Sequence, residues 1–173
     1  MGKNKYRFKG HESFILREGW LNKGLYEVYY DPKVFSENYG ADALGVGPNM
    51  AKSIRYWLKS ADLITDSPKT GATLTDIGNL IFTHDPCVED YFTLWLIHSK
   101  IAKNRELATA WNLFFNEVSY EEFKKQQIYD EMEALVSESA TTSSTGGLVL
   151  ALKRAFLLLA QKGGIASTFT GPL

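Results

Sequence analysis

The sequence has a single cysteine, Cys87, which excludes an intramolecular disulfide and a cysteine-rich zinc site. Histidine is nearly as scarce: His11, His84 and His98 are scattered, and no His, Cys or carboxylate stands at i+4 from His98 to make a metal pair with it. No structural zinc is expected. There is no phosphate-binding glycine loop ending in lysine, no nucleophile elbow and no paired-histidine zinc motif. No apolar run is long enough to span a bilayer; the longest, over residues 147–160, is interrupted by Lys153 and Arg154. No charged leader with an apolar centre opens the chain, so a cytoplasmic protein without membrane contact is expected. Excess charge is missing too. Nineteen Lys and Arg against 20 Asp and Glu give −1, which excludes a polycation of the histone type.

What is present is a chain of 173 residues, 45% hydrophobic and 13% aromatic, enough for one packed domain or one domain with a helical extension. Its charge is uneven. Residues 1–60 carry ten Lys and Arg against six Asp and Glu, whereas residues 61–173 carry nine against fourteen. An electropositive end joined to an acidic end points to a local anionic partner.

Residues 39–82 organise the chain, and they read as a winged helix-turn-helix. A short helix through Leu44 should stop at Gly45, which adopts positive φ without a Cβ penalty. Gly47 then serves as N-cap and Pro48 as the first helical residue, where its missing N–H costs nothing. In the second helix Met50, Ala51, Ile54, Trp57 and Leu58 fall on one apolar stripe. Asn49, Lys52, Ser53, Tyr56 and Lys59 fall on the other side, with Arg55 at the border. The short runs 63–65 and 72–74, separated by turn chemistry from Asp66 to Gly71, predict a two-stranded wing. Thr75 should cap a further helix, with Asp76 at its positive end.

The rest of the chain is divided around this segment. Residues 1–84 are expected to form the winged unit with a basic N-terminal arm that includes Lys3, Lys5, Arg7 and Lys9. A helix with Trp20, Leu21, Leu25 and Val28 on one face precedes Asp31-Pro32, and 33–36 read as the start of the first helix of the DNA-binding trio. Residues 85–136 read as a helical subdomain: a central helix opened by Asp85-Pro86 and running to about Ala102, a helix over 105–118, and one capped by Ser119. Trp57 and Trp95 should both be buried. His98 reads as a hydrogen-bonded core histidine. Residues 137–147 are Ser/Thr/Gly-rich and read as a linker; residues 148–173 read as a terminal helix and mobile tail. The fold class expected is mainly α.

The stretches FKGHESF, Arg17, GWLNKGL, ALGVGPNMAKSIRYWL, the LT-x-x-G from Leu74 to Gly78, EDYFTLWLIHSKIA and ATAWNLFFN resemble a bacterial domain-of-unknown-function family linked to DNA phosphorothioation gene clusters. The resemblance covers roughly residues 7–130. It implies the conserved domain of the SspB-type subunit, a DNA nickase, and a setting of DNA modification and phage defence. Pro48 stands where the resemblance leads one to expect lysine.

Three functions remain open on these grounds. A DNA-binding module would enter the major groove of double-stranded DNA through Asn49, Lys52, Ser53 and Tyr56, with Arg55 and Lys59 toward phosphates and Lys69 on the flanking backbone. A DNA nickase would draw on His11, Glu12 and Arg17, with histidine as base and arginine as phosphate clamp, and on Mg²⁺ if it nicks. The plainer reading of those three is a helix cap and an ion pair. A non-catalytic scaffold would instead dock protein partners of a modification complex. No cofactor is expected for the first and third readings.

Overall fold

The computed structural model describes residues 7, 10–12, 14–118 and 125–139. The described chain is mainly helical, with one small antiparallel hairpin. Helix α1 spans Trp20–Tyr30, α2 Ala41–Leu44, α3 Pro48–Ser60, α4 Asp76–His84, α5 Tyr91–Lys103, α6 Thr109–Glu117 and α7 Lys125–Ser139. The hairpin, β1 Ile64–Ser67 and β2 Gly71–Leu74, lies between α3 and α4.

Local chemistry sets most of these ends. Gly45 sits at φ 61° after α2, and its N–H reaches back to Asp42 O. Gly47 is the extended N-cap of α3, with Pro48 next. Thr75 Oγ1 accepts the Gly78 N–H at 3.0 Å and opens α4. These three caps lie where the sequence placed them.

Other boundaries differ. Residues 33–36 are not helical; they form turns closed by Val34 N–H to Asp31 O and Ser36 N–H to Lys33 O. The Asp31 carboxylate takes the Lys33 N–H, competing with helix continuation, and α1 is therefore the helix that precedes α2. Asp85-Pro86 does not open α5. Asp85 instead ends α4, and its carboxylate accepts the Glu89 and Asp90 N–H groups, while Asp90 caps α5 by accepting from Phe92 N–H at 2.7 Å. The helix expected over 105–118 starts only at Thr109. Asn104 interrupts it, its amide donating to Ser60 O and its carbonyl accepting the Leu107 N–H. The capping role given to Ser119 falls outside the described residues, as do residues 140–173; α7 takes in the first three residues read as linker.

One apolar core joins these elements. Leu25, Leu44, Ile54, Leu58 and Leu63 are fully buried at its centre, and Ile97, Ile101 and Trp111 extend it to α5 and α6. α1 crosses α3 closely at Gly24, where a Cβ would stand 2.6 Å from Leu58 Cδ1. Trp57 is buried as expected, and its ring lies 6.0 Å from that of Trp111. Trp95 is not. It is 55% exposed, because α5 commits Thr93, Ile97, Ile101 and Ala102 to the core and turns Tyr91, Phe92, Leu94 and Trp95 away from it. No helix among the described residues is long and apolar enough to cross a membrane.

Candidate nucleic-acid interface

Helix α3 is covered on two sides. α1 and α2 cover the stripe of Ala51, Ile54 and Leu58. The opposite side, which helical periodicity alone leaves to solvent, is covered by the N-terminal segment and by the 104–111 region. There Tyr56 donates its hydroxyl to Leu107 O at 2.7 Å, and Trp57 Nε1 donates to Phe14 O at 3.3 Å. His11 lies against both rings, its centroid 5.9 Å from Tyr56 and 6.0 Å from Trp57. Two residues assigned to base reading are thereby corrected. Tyr56 is 8% exposed and Ser53 is completely buried, so neither side chain can enter a groove. Burial holds the Tyr56 phenol above its ordinary pKa.

What remains open on α3 is one narrow strip at the 3–4 spacing of a helix face: Pro48, Lys52, Arg55 and Lys59, with Asn49 exposed in the first turn. Its three side chains beyond the proline are all cationic. Lys52 Nζ rests 4.3 Å from the ring centroid of Tyr39 and 3.4 Å from Asn49 Oδ1. Tyr39 is held there by three successive positive-φ residues, Asn38, Tyr39 and Gly40. Arg55 and Lys59 turn to the hairpin. Asp66 Oδ2 accepts from Arg55 Nε at 2.8 Å and from Nη2, and Lys59 Nζ is 3.6 Å away. The sequence put Asp66 in the turn; it is instead a strand residue opposite Ala72, on the same inward face as buried Ile64. That face explains why its carboxylate meets α3.

A cleft of about 420 Å³ opens beside this strip, between the 32–36 loop and the hairpin. Lys33, Ser36, Arg55, Asp66, Ser67 and Lys69 are among its lining. The loop and hairpin are fastened together: the Ala72 N–H donates to Pro32 O at 2.7 Å, and a Cβ on Gly71, at φ 81°, would stand 2.1 Å from that oxygen. Lys33, Tyr39 and Asp66 were not singled out from sequence. The Asp31-Pro32 turn signal was visible, but nothing local linked Lys33 to a hairpin almost 40 residues later.

Among the described residues no hydrogen bond or ion pair joins His11, Glu12 and Arg17. His11 is buried and Glu12 exposed, while Arg17 lies 5.9 and 5.5 Å from the rings of Phe14 and Trp20. Burial depresses the His11 pKa, opposed by the Glu12 charge. Burial also lowers His98, whose Nδ1 accepts from Trp111 Nε1 at 3.4 Å. Among the described residues no three His, Cys, Asp or Glu side chains converge as metal ligands do. Of the basic arm, Arg7 is described: its N–H donates to Thr109 Oγ1 at 2.8 Å and its guanidinium lies 5.7 Å from the Tyr56 ring. Lys3, Lys5 and Lys9 lie outside the described residues.

Two solved structures share this fold. One, a magnesium ion-bound SspB crystal structure, superposes with a TM-score of 0.72 at 23% identity, covering 87% of this chain and 48% of that one. The other, an SspB crystal structure, gives 0.74 at 19% identity, covering 98% and 55%. The chain thus spans about half the length of each. No curated protein matches it. The family described as Protein of unknown function (DUF4007) matches residues 8–148, and the chain belongs to that family.

Proposed function

We propose that this protein is a DNA-binding winged helix-turn-helix module of a bacterial phosphorothioation and phage-defence system. In this reading α1, α2 and α3 are the helical trio, α3 lies in the major groove, and the β1–β2 hairpin is the wing. The observation that carries it is the exposed strip of α3. A helix largely covered on its other faces leaves Lys52, Arg55 and Lys59 partly exposed along one strip, with Asn49 exposed in the first turn and Lys69 on the adjoining hairpin. A helix open only along a cationic strip suits the phosphate-lined walls of a groove. Asn49 and Lys52, in the first turns, would reach base edges; Arg55, Lys59 and Lys69 would meet phosphates. Ser53 and Tyr56 belong to the scaffold behind the strip. The place in a phosphorothioation system rests on the sequence resemblance and on the shared fold with SspB.

The test is fluorescence anisotropy with duplex DNA over a salt series. Wild-type binding should weaken as salt rises. Asn49→Ala should cost roughly 1–3 kcal/mol at a selected site and little on random DNA. Lys59→Ala and Lys69→Ala should weaken binding on every sequence and lower the salt slope by about one each. Absence of salt-dependent binding at micromolar protein would remove this reading and leave the protein-docking scaffold.

A nicking activity is the second reading, favoured by the magnesium ion in one of the structures sharing the fold. It predicts relaxation of supercoiled plasmid with Mg²⁺. His11, the one buried member of its candidate set, is enclosed by Tyr56 and Trp57, which favours a structural role for that residue.

A further inference from the structure

We infer that the cleft between the 32–36 loop and the hairpin is a phosphate subsite, which seats one phosphodiester group of a DNA strand passing α3. The inference rests on the DNA-binding reading for the bearer of the phosphate, and on the cleft itself for the chemistry.

Three observations carry it. The first is charge. Lys33, Arg55 and Lys69 line the cleft against one carboxylate, Asp66. Asp66 is committed to Arg55 and Lys59, whereas Lys33 and Lys69 have no carboxylate within ion-pair distance among the described residues. Two exposed, unneutralised lysines therefore line one open cleft, an arrangement that an entering anion would relieve. Asp66 holds the anion toward the Lys33 and Lys69 end.

The second is the hydrogen-bonding inventory. Ser36 and Ser67 supply hydroxyls to the same lining. Ser67 Oγ already accepts the Lys69 N–H at 3.3 Å, which leaves its O–H proton to donate outward. Ammonium and hydroxyl donors in one recess are what a phosphate oxygen requires.

The third is rigidity. The Asp31 carboxylate and the Ser36 N–H fix the backbone of Lys33 from both sides, and the Ala72 N–H ties the loop to β2. The close approach at Gly71 leaves no room for the walls to move together. A preformed recess loses little ordering free energy when it is filled. At about 420 Å³ it lies within the roughly 300–1,000 Å³ usual for small-ligand sites, so a phosphate and its adjoining sugar fit together.

The experiment uses the full chain. Lys33→Ala is compared with wild type and with Lys103→Ala, which removes an exposed lysine of α5 outside the cleft. Anisotropy with a duplex at three salt concentrations is paired with amide NMR during titration with inorganic phosphate and with a deoxynucleoside monophosphate. Thermal melting confirms that each variant is folded. The expected result is that Lys33→Ala weakens duplex binding up to roughly tenfold near 0.1 M salt and lowers the salt slope by about one. Lys103→Ala should do neither, and the small probes should shift the amides of Ser36 and Ser67. If wild type binds duplex but Lys33→Ala matches it and those amides stay still, the subsite is overturned while the α3 reading stands. If duplex binding is absent but the mononucleotide shifts those amides in wild type and not in Lys33→Ala, the subsite stands and serves a free nucleotide. If no probe binds, both readings fall.

Discussion

Replacing Asp66 by Asn should make the protein slightly less stable and a better DNA binder. Asp66 accepts two hydrogen bonds from the Arg55 guanidinium and stands 3.6 Å from Lys59 Nζ, so one carboxylate offsets two of the three cations on the open strip of α3. Its side chain is 10% exposed, but those of Arg55 and Lys59 are 34% and 38% exposed, and solvent screens the pair substantially. Asparagine keeps the shape and one acceptor, so the stability cost should be about 1 kcal/mol, near the upper end for exposed pairs. That corresponds to a fall in Tm of about 2–4 °C. On DNA the change removes one negative charge and releases one or two cations to phosphates. Each added phosphate contact steepens the dependence of log K on log salt by about 0.9, so affinity should rise roughly tenfold near 0.1 M salt. The assay is anisotropy at three salt concentrations beside a thermal melt. An affinity that falls while Tm stays within a degree would refute the reasoning, because Asp66 would then be aiming Arg55 and not competing for it.

Gly71→Ala should destabilise the fold by more than about 2 kcal/mol, since strain at positive φ adds to a Cβ placed 2.1 Å from Pro32 O; urea denaturation within 0.5 kcal/mol of wild type, on the scale of a neutral surface change, would contradict the packing of loop on hairpin. Tyr56→Phe leaves the Leu107 carbonyl without its hydroxyl donor and should cost roughly 1–3 kcal/mol, read from the urea midpoint at unchanged slope. Stability should also depend on pH. Burial lowers the folded pKa of both His11 and His98 below the unfolded value of 6.5, so below that pH the unfolded chain takes up protons that the folded chain resists. The stabilising contribution is fully present above pH 6.5 and is lost as pH falls through the folded values. Urea midpoints from pH 8 to 5 should decline in wild type and decline less in His11→Gln; equal slopes would show that His11 is not the group responsible.

Much of the element order was legible because its signals are local. Gly45 ends α2, Pro48 begins α3 and Thr75 caps α4 through chemistry that involves only near neighbours in sequence. The short runs 63–65 and 72–74, with turn chemistry between them, were enough to foresee a hairpin. Scarcity was informative as well, since a single cysteine settles the question of an intramolecular disulfide without any coordinates.

The face that α3 shows to solvent could not be read this way. Periodicity puts Ser53 and Tyr56 opposite the apolar stripe, but whether that opposite side meets water depends on what else folds over it. Here the N-terminal segment and Leu107 do, from more than 40 residues away. Trp95 erred in the other direction: α5 has apolar residues on several faces, and only packing chose the one that turns inward. The cleft depends most of all on distance in sequence. Lys33 and Lys69 share a recess because a backbone hydrogen bond joins Pro32 to Ala72, and Asp66 meets Arg55 because strand pleat turns it inward. Sequence by itself determined where α2 stops and where α3 and α4 start, because those caps act within a few residues. Tertiary structure alone decided which side chains are free to bind, because exposure depends on every element that packs against a surface.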